Sequence, residues 1–276
     1  MKHFITIVLF FFSIKASACY CEKPQFILEF YEAEYVFEGI ITSEKETNDD
    51  LNYVVTFDIK KHYKKSNNLP KSLQFTLELK KMHDKPASCI NRPIRLGEKW
   101  LVYAYREKSN ELKFNFCCSN TKAIYTKESI SEEEQRVLKN GNEFSLEKYI
   151  YEFQDNFSKT NLKEEIEIAI KSASIKNYKK TKTTLIIKIS KEGKLEMITN
   201  DENYTIVVDE NFNLIKKILT TRKKELSNFD KEAITILRKI NKWDIKYHKK
   251  SKIPVSYIKS VIFQYDKKNH TWSYEL

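Results

Sequence analysis

Apolar residues recur at every second position through much of the first half of the chain. In 53–59, Tyr53, Val55, Phe57 and Ile59 share one parity, while Val54, Thr56 and Asp58 take the other. In 72–79, Leu73, Phe75, Leu77 and Leu79 align in the same way. Such alternation puts successive side chains on opposite faces of a strand. The stretches 33–42, 99–106 and 112–118 add β-branched and aromatic residues, with Gly39 placed where a bulge fits. Five short strands joined by loops rich in Asn, Asp, Lys and Ser predict a small antiparallel barrel or sandwich.

The period then changes. In 129–140, Ser131 precedes Glu134 by three positions, a capping signature, and Gly141 reads as a stop. The stretches 146–157 and 162–178 show helical spacing, with Ile166, Ile170 and Ala173 on one face. Glu164 and Glu165 read as first-turn helix charges rather than catalytic acids. Beyond residue 180, strands are predicted at 183–189 and 195–198 around a turn at 191–194. A helix follows at 230–240, with Ala233, Ile236, Leu237 and Ile240 on one face and Asn228 or Asp230 as its cap. Strands at 243–248 and 254–265 complete a β-β-α-β-β order.

The first eighteen residues read as an address. A short basic start, an apolar run from Phe4 to Phe12 and the small-x-small triplet Ala16-Ser17-Ala18 form a secretory signal pattern. The run to Ile14 is too short for a membrane span, which needs about 20 residues. Cleavage after Ala18 leaves a chain that begins at Cys19. The alternative is lipidation of Cys19, although Ala16 stands where lipoproteins usually carry Leu.

Composition narrows the classes. The 276 residues are 41% hydrophobic, with 17 Phe and 16 Tyr, which supplies a core and excludes a fully disordered chain of one or two domains' length. The net charge of +11 is carried by Lys, since only six of the 49 basic residues are Arg. Nucleic-acid readers favour Arg for its bidentate fork, so the charge reads as a solvated surface and no nucleic-acid partner is expected. The five cysteines (19, 21, 89, 117 and 118) all lie in the first half, and export makes disulfides the default. Their spacing does not suit a zinc knuckle, and the five histidines are scattered. Strand parity from Leu112 puts Cys118 with the apolar face of Phe114 and Phe116, and Cys117 opposite as the odd thiol; a bulge would swap them. There is no Walker loop, G-x-S-x-G or H-E-x-x-H, so no enzyme activity, catalytic residue or cofactor is expected.

Two resemblances go further. Cys19-Tyr20-Cys21, the A-x-Y-V-F-x-G stretch at 33–39, Cys89, G-E-K-W-L-V-Y-A-Y at 97–105 and C-S-N-T at 118–121 occur in an order that resembles the netrin-like domain of tissue inhibitors of metalloproteinases, bacterial relatives included. The resemblance covers about 19–125 and implies a five-stranded OB-type barrel with Cys19–Cys89 and Cys21–Cys118 disulfides. It also implies that the Cys19 amine and carbonyl chelate a protease's zinc, with Tyr20 in the specificity pocket. The third disulfide of that domain is missing here, and Tyr20 is bulkier than the residue usual there.

In the second half, K-I-S-K-E-G-K-L, F-D-K-E-A-I-x-I-L, K-W-D-I-K-Y and K-I-P-V-S-Y-I-x-x-V-I-F resemble the C-terminal domain of TonB-type energy transducers over about 181–266. An insertion at 200–226 and Ile245 in place of Pro depart from it. The resemblance implies recognition of a partner strand by edge pairing, with the exposed edge at 255–263.

The fold class is thus mostly β plus α+β. Residues 1–18 are a leader, 19–126 a five-stranded OB-like antiparallel barrel, 127–180 a helical connector and 181–276 a small β-β-α-β-β domain. The expected function is that of an exported, non-catalytic binding protein of the periplasm or cell surface with a protein partner. The alternatives are a metalloprotease inhibitor acting through Cys19, Tyr20 and Cys21, and an accessory of TonB-dependent transport that meets an outer-membrane receptor. Membrane contact is expected only if Cys19 is lipidated. Amino-terminal sequencing of the exported protein should read Cys-Tyr-Cys, with no acyl adduct in the intact mass. A retained leader contradicts this expectation, and an adduct on Cys19 removes the chelating amine.

Overall fold

The structure is a computed structural model that describes residues 23–47, 52–66, 69–78, 94–115, 118–152, 154–221 and 223–276. The chain divides into two compact units with the boundary after Asn142. That boundary falls inside 127–180, so its first helix belongs to one unit and the rest to the other.

The first unit is built from α1 (Phe26–Glu32), β1 (Tyr35–Glu46), β2 (Asn52–His62), β3 (Ser72–Glu78), β4 (Lys99–Arg106), the short β5 (Leu112–Lys113) and β6 (Lys122–Ala123), and α2 (Glu132–Asn140). Strand order is β3-β2-β1-β4-β5, with β6 also on β4, and every pairing is antiparallel. The sheet curls into a nearly closed five-strand barrel, the form expected of an OB-like domain. Curling needs bends, and β1 supplies them through register shifts at Glu38/Gly39 and Ile41/Ser43. Inside, Phe37, Phe57, Phe75 and Phe114 pack edge to face, with Phe75 and Phe114 centroids 4.8 Å apart. The alternation in β2 matches this core, where Tyr53, Val55 and Phe57 are buried.

Strand β4 is buried without alternation from Trp100 to Ala104. Trp100, Val102 and Ala104 face the barrel core, and the opposite parity lies under α1. Helix α1 escapes period counting because it is only seven residues long, and it buries Ile27, Leu28 and Phe30. Ser131 caps α2 by accepting from the Glu134 N–H, as its spacing predicts. Gly141 does not stop α2 through a left-handed turn, since its φ is −59°. Its small size is needed because a Cβ there would lie 2.7 Å from the Phe30 ring. The strand predicted at 112–118 ends at Lys113; Phe116 and Cys117 lie outside the described residues, and Cys118 has φ +58°. A left-handed residue breaks two-residue alternation, so parity does not carry through to Cys118.

The second unit comprises β7 (Ile150–Tyr151), α3 (Lys163–Ile170), β8 (Lys182–Ile189), β9 (Leu195–Asn200), β10 (Tyr204–Asp209), β11 (Leu214–Thr220), α4 (Asn228–Arg238), β12 (Lys246–Tyr247), β13 (Pro254–Asp266) and β14 (Thr271–Glu275). The order is β10-β11-β7-β13-β8-β9, with β12 and β14 also on β13. Ile166 from α3 and Ala233, Ile236 and Leu237 from α4 pack with Leu185, Ile187, Val261 and Phe263 into one core. Among the described residues, no helix is long and apolar enough to cross a membrane.

Four sequence expectations change here. The helix at 146–157 is instead a 3-10 turn followed by β7, because Ile150 and Tyr151 pair with β13. The insertion at 200–226 folds as the β10–β11 hairpin. The α4 cap is Ser227, whose hydroxyl accepts from the Asp230 N–H while Asp230 accepts from the Ser227 N–H. The stretch 255–263 is not a free edge strand: β13 pairs with β8 on one side, and on the other with β12 and β7 at 254–257 and with β14 at 262–266. Its 13 residues hold the sheet together, and the path ends at β10 and β9.

The turn between β8 and β9 rests on Gly193, with φ +74° and room so tight that a Cβ there would lie 2.6 Å from the Trp243 carbonyl oxygen. Gly193→Ala is expected to cost about 2 kcal/mol or more, from left-handed strain plus the contact. Urea denaturation checks it, and an unchanged midpoint contradicts it.

Candidate functional site

Cys19, Tyr20, Cys21, Cys89 and Cys117 lie outside the described residues. Of the sequence-predicted site, the structure describes Cys118, which is disulfide-bonded, its partner lying outside the described residues. Around Cys118 the fold builds an anchor for the start of the described chain.

The anchor is the Cys118–Thr121 loop, whose Ser119, Asn120 and Thr121 are buried. Glu29 of α1 reaches into it. One carboxylate oxygen accepts from the Ser119 hydroxyl at 2.6 Å, and the other from the Asn120 backbone N–H at 2.8 Å and its side-chain amide at 2.6 Å. The same Asn120 amide donates to the Pro24 carbonyl at 3.0 Å. Thr121 ties the loop to β4 by accepting from the Tyr103 N–H at 2.9 Å. Burial pushes the Glu29 carboxyl above its ordinary pKa, against the pull of its three donor groups, and the nearby Glu134 charge adds to the push.

The far end of α1 is held as firmly. The Lys64 ammonium donates to the carbonyls of Phe30 at 2.9 Å and Tyr31 at 2.7 Å, and also to that of Ala33. A cation on terminal helix carbonyls satisfies groups that have no intrahelical partner. Just beyond, Arg106 grips Glu34 bidentately at 2.8 and 2.7 Å.

Beside this anchor lies a second buried carboxylate. Glu134 of α2 is fully buried, accepts from the Tyr103 hydroxyl at 3.1 Å and pairs with the Lys122 ammonium. Burial raises its pKa, and Lys122 and Tyr103 oppose the rise. Tyr103 in turn is held well above the ordinary phenol value by burial and by the Glu134 and Glu29 charges.

The first unit also carries an open cleft of about 980 Å³, lined by Glu38, His62, Tyr63, Lys99, Tyr125 and Gln135 among others. Burial would raise the Glu38 carboxyl, but hydrogen bonds from Lys99 and Tyr63 outweigh it and hold the pKa below its ordinary value. Those donors occupy the carboxylate, which is poorly placed to take a proton from a substrate. His62 faces the Pro70 carbonyl through Nε2 at 2.9 Å, and its buried Nδ1 has no hydrogen-bond partner. Among the described residues, no group of three or more His, Cys, Asp and Glu side chains is arranged to hold a metal ion.

No protein-family model matches the chain, and no curated protein matches its sequence. Sequence reasoning quoted Ser119, Asn120 and Thr121 only as part of a family motif and missed Glu29, Lys64 and Glu134. The usable signal was a run of short polar side chains directly after a cysteine, a composition that forms backbone-binding loops.

Lys122→Met is expected to destabilise the protein by about 3 kcal/mol, because it leaves Glu134 buried and uncompensated. The double variant Lys122→Met with Glu134→Gln should recover most of that loss. Denaturation curves of the single and double variants check this, and purely additive losses contradict it.

Proposed function

We propose that the protein is an exported, non-catalytic binding protein of the periplasm or cell surface. In this reading a disulfide-stapled, netrin-like barrel presents the amino-terminal Cys19-Tyr20-Cys21 segment, and a TonB-C-like module forms the second unit. The observation that carries it is the Asn120 clamp on Pro24. Pro24 follows Cys21 by three positions and Asn120 follows Cys118 by two, so only short stretches of chain separate the clamp from either cysteine. The short connections support a Cys21–Cys118 disulfide, with Cys19–Cys89 as its companion. A short segment fixed between a clamp and two disulfides loses little entropy when it binds.

The same anchoring favours a second reading, inhibition of a zinc metalloprotease. Catalytic zinc keeps an open position, and an α-amine with a pKa near 8 is readily available in neutral form. The Cys19 amine and carbonyl would take that position, and Tyr20 would enter the pocket beside it. Recognition of an outer-membrane receptor strand by the second unit would use an outer strand, β9, β10 or β14, rather than 255–263.

Peptide mapping without reduction tests the staple, with Cys21–Cys118 and Cys19–Cys89 expected and Cys117 left as the thiol. A Cys19–Cys118 or Cys117–Cys118 bond overturns it. For inhibition, unmodified protein at micromolar concentration should slow at least one of a panel of zinc metalloproteases, and a fully active panel removes that reading.

A further inference from the structure

The second unit holds a small cavity that the binding proposal does not use. It measures about 270 Å³ and lies between the 154–160 segment, β12 and β13. The backbone fixes its walls. The Ser158 N–H donates to the Tyr247 carbonyl at 2.8 Å, the Tyr247 N–H donates to the Ser158 hydroxyl at 2.9 Å, and the Lys249 N–H donates to the Asn156 carbonyl at 2.8 Å. Behind them, fully buried His248 packs edge-on against the buried Phe157 ring. The cavity thus has rigid sides rather than a loop draped over it.

Its charge is unusual. Lys246 is only 7% exposed, yet its ammonium donates to the backbone carbonyl of Glu152 and lies 5.5 Å from the Tyr257 ring centroid. Half-buried Lys259 lines the same space. Burial, then repulsion by Lys259, pull the Lys246 pKa down to about 8, and the Glu152 carboxylate offsets this only in part. Burial depresses Lys259 as well, against the attraction of Asp244. Two mutually repelling ammonium groups, one buried and one half-buried on the same cavity, are costly without an anion between them. Gln154 adds a buried side-chain oxygen with no partner, and turning its carboxamide over would offer the cavity an N–H donor instead. Exposed Glu152 and Asp155 stand on the lining with exposed Lys159 and Lys249. Those carboxylates disfavour a long polyanion, which would have to pass them, but leave room for a single compact anion.

We propose that this cavity binds a small oxyanion, phosphate or a phosphate monoester, held between the ammonium groups of Lys246 and Lys259. Bridging by a dianion relieves the repulsion between the two lysines and restores full protonation of Lys246. Charge-assisted hydrogen bonds to both supply the affinity. Carboxylate ligands, with one charge, satisfy the pair less well.

The test is a titration of the full chain with inorganic phosphate, followed through the side-chain NMR signals of Lys246 and Lys259 and by calorimetry. Saturable binding that moves both signals is expected, with Lys246→Met weakening it at least about tenfold. Lys259→Met, at a half-buried position, gives the same loss where Lys246→Met fails to fold, and Lys268→Met in an exposed turn leaves binding unchanged. A parallel titration with glycerol phosphate separates the sources: tighter binding than inorganic phosphate marks a monoester as the ligand, weaker binding marks free phosphate. Equal affinity in wild type and the Lys259→Met variant, or acetate binding as tightly as phosphate, overturns the proposal.

Discussion

The Glu29 carboxylate is largely withdrawn from water, and withdrawing a carboxylate is costly unless its lone pairs are satisfied. Ser119 and Asn120 satisfy them in this placement of α1, and a shift of the helix would break three directed hydrogen bonds. The interaction is therefore selective for one geometry rather than merely attractive. It sets where α1 lies over β4, and through Asn120 it sets where Pro24 lies, so the chain enters the barrel beside Cys118. Glu134, Tyr103 and Lys122 extend the polar cluster to α2. A cluster of this kind rigidifies its surroundings when every member is partnered. The proposed presentation of Cys19-Tyr20-Cys21 depends on that rigidity.

The second unit is organised differently. Its centre is β13, which pairs with four other strands along its length, while α3 and α4 close one face over an aliphatic and aromatic core. A strand so placed offers little free edge, and a strand-addition partner is directed to β9, β10 or β14. At the amino-terminal end of β13 the apolar core gives way to Lys246 and Lys259, whose charge has no buried counterpart of equal strength. Stability and the proposed ligand chemistry are thus separated within one sheet.

Much of the fold was legible where one face of an element meets water. Tyr53, Val55 and Phe57 alternate because the outer side of β2 is partly exposed, and Ala233, Ile236 and Leu237 fall on one face because α4 covers a single sheet. Legibility failed where burial is two-sided or set by distant pairing. Helix α1 is too short for its period to show, and Ile150 and Tyr151 take extended form through β13, more than a hundred residues away. Strand parity was the wrong instrument for Cys118, since its φ of +58° ends any alternation there. The anchor was nearly invisible for a related reason. Glu29, Asn120 and Lys64 are far apart in sequence, and each alone looks like a surface residue.

Native-state hydrogen exchange tests the central claim most directly. If the Glu29 clamp fixes the chain's entry, the amides of α1 and of Asn120 should open only with the barrel, at the same free energy as the amides of β4. Exchange of α1 and Asn120 through a separate opening, about 2 kcal/mol or more below that of β4, would contradict the account.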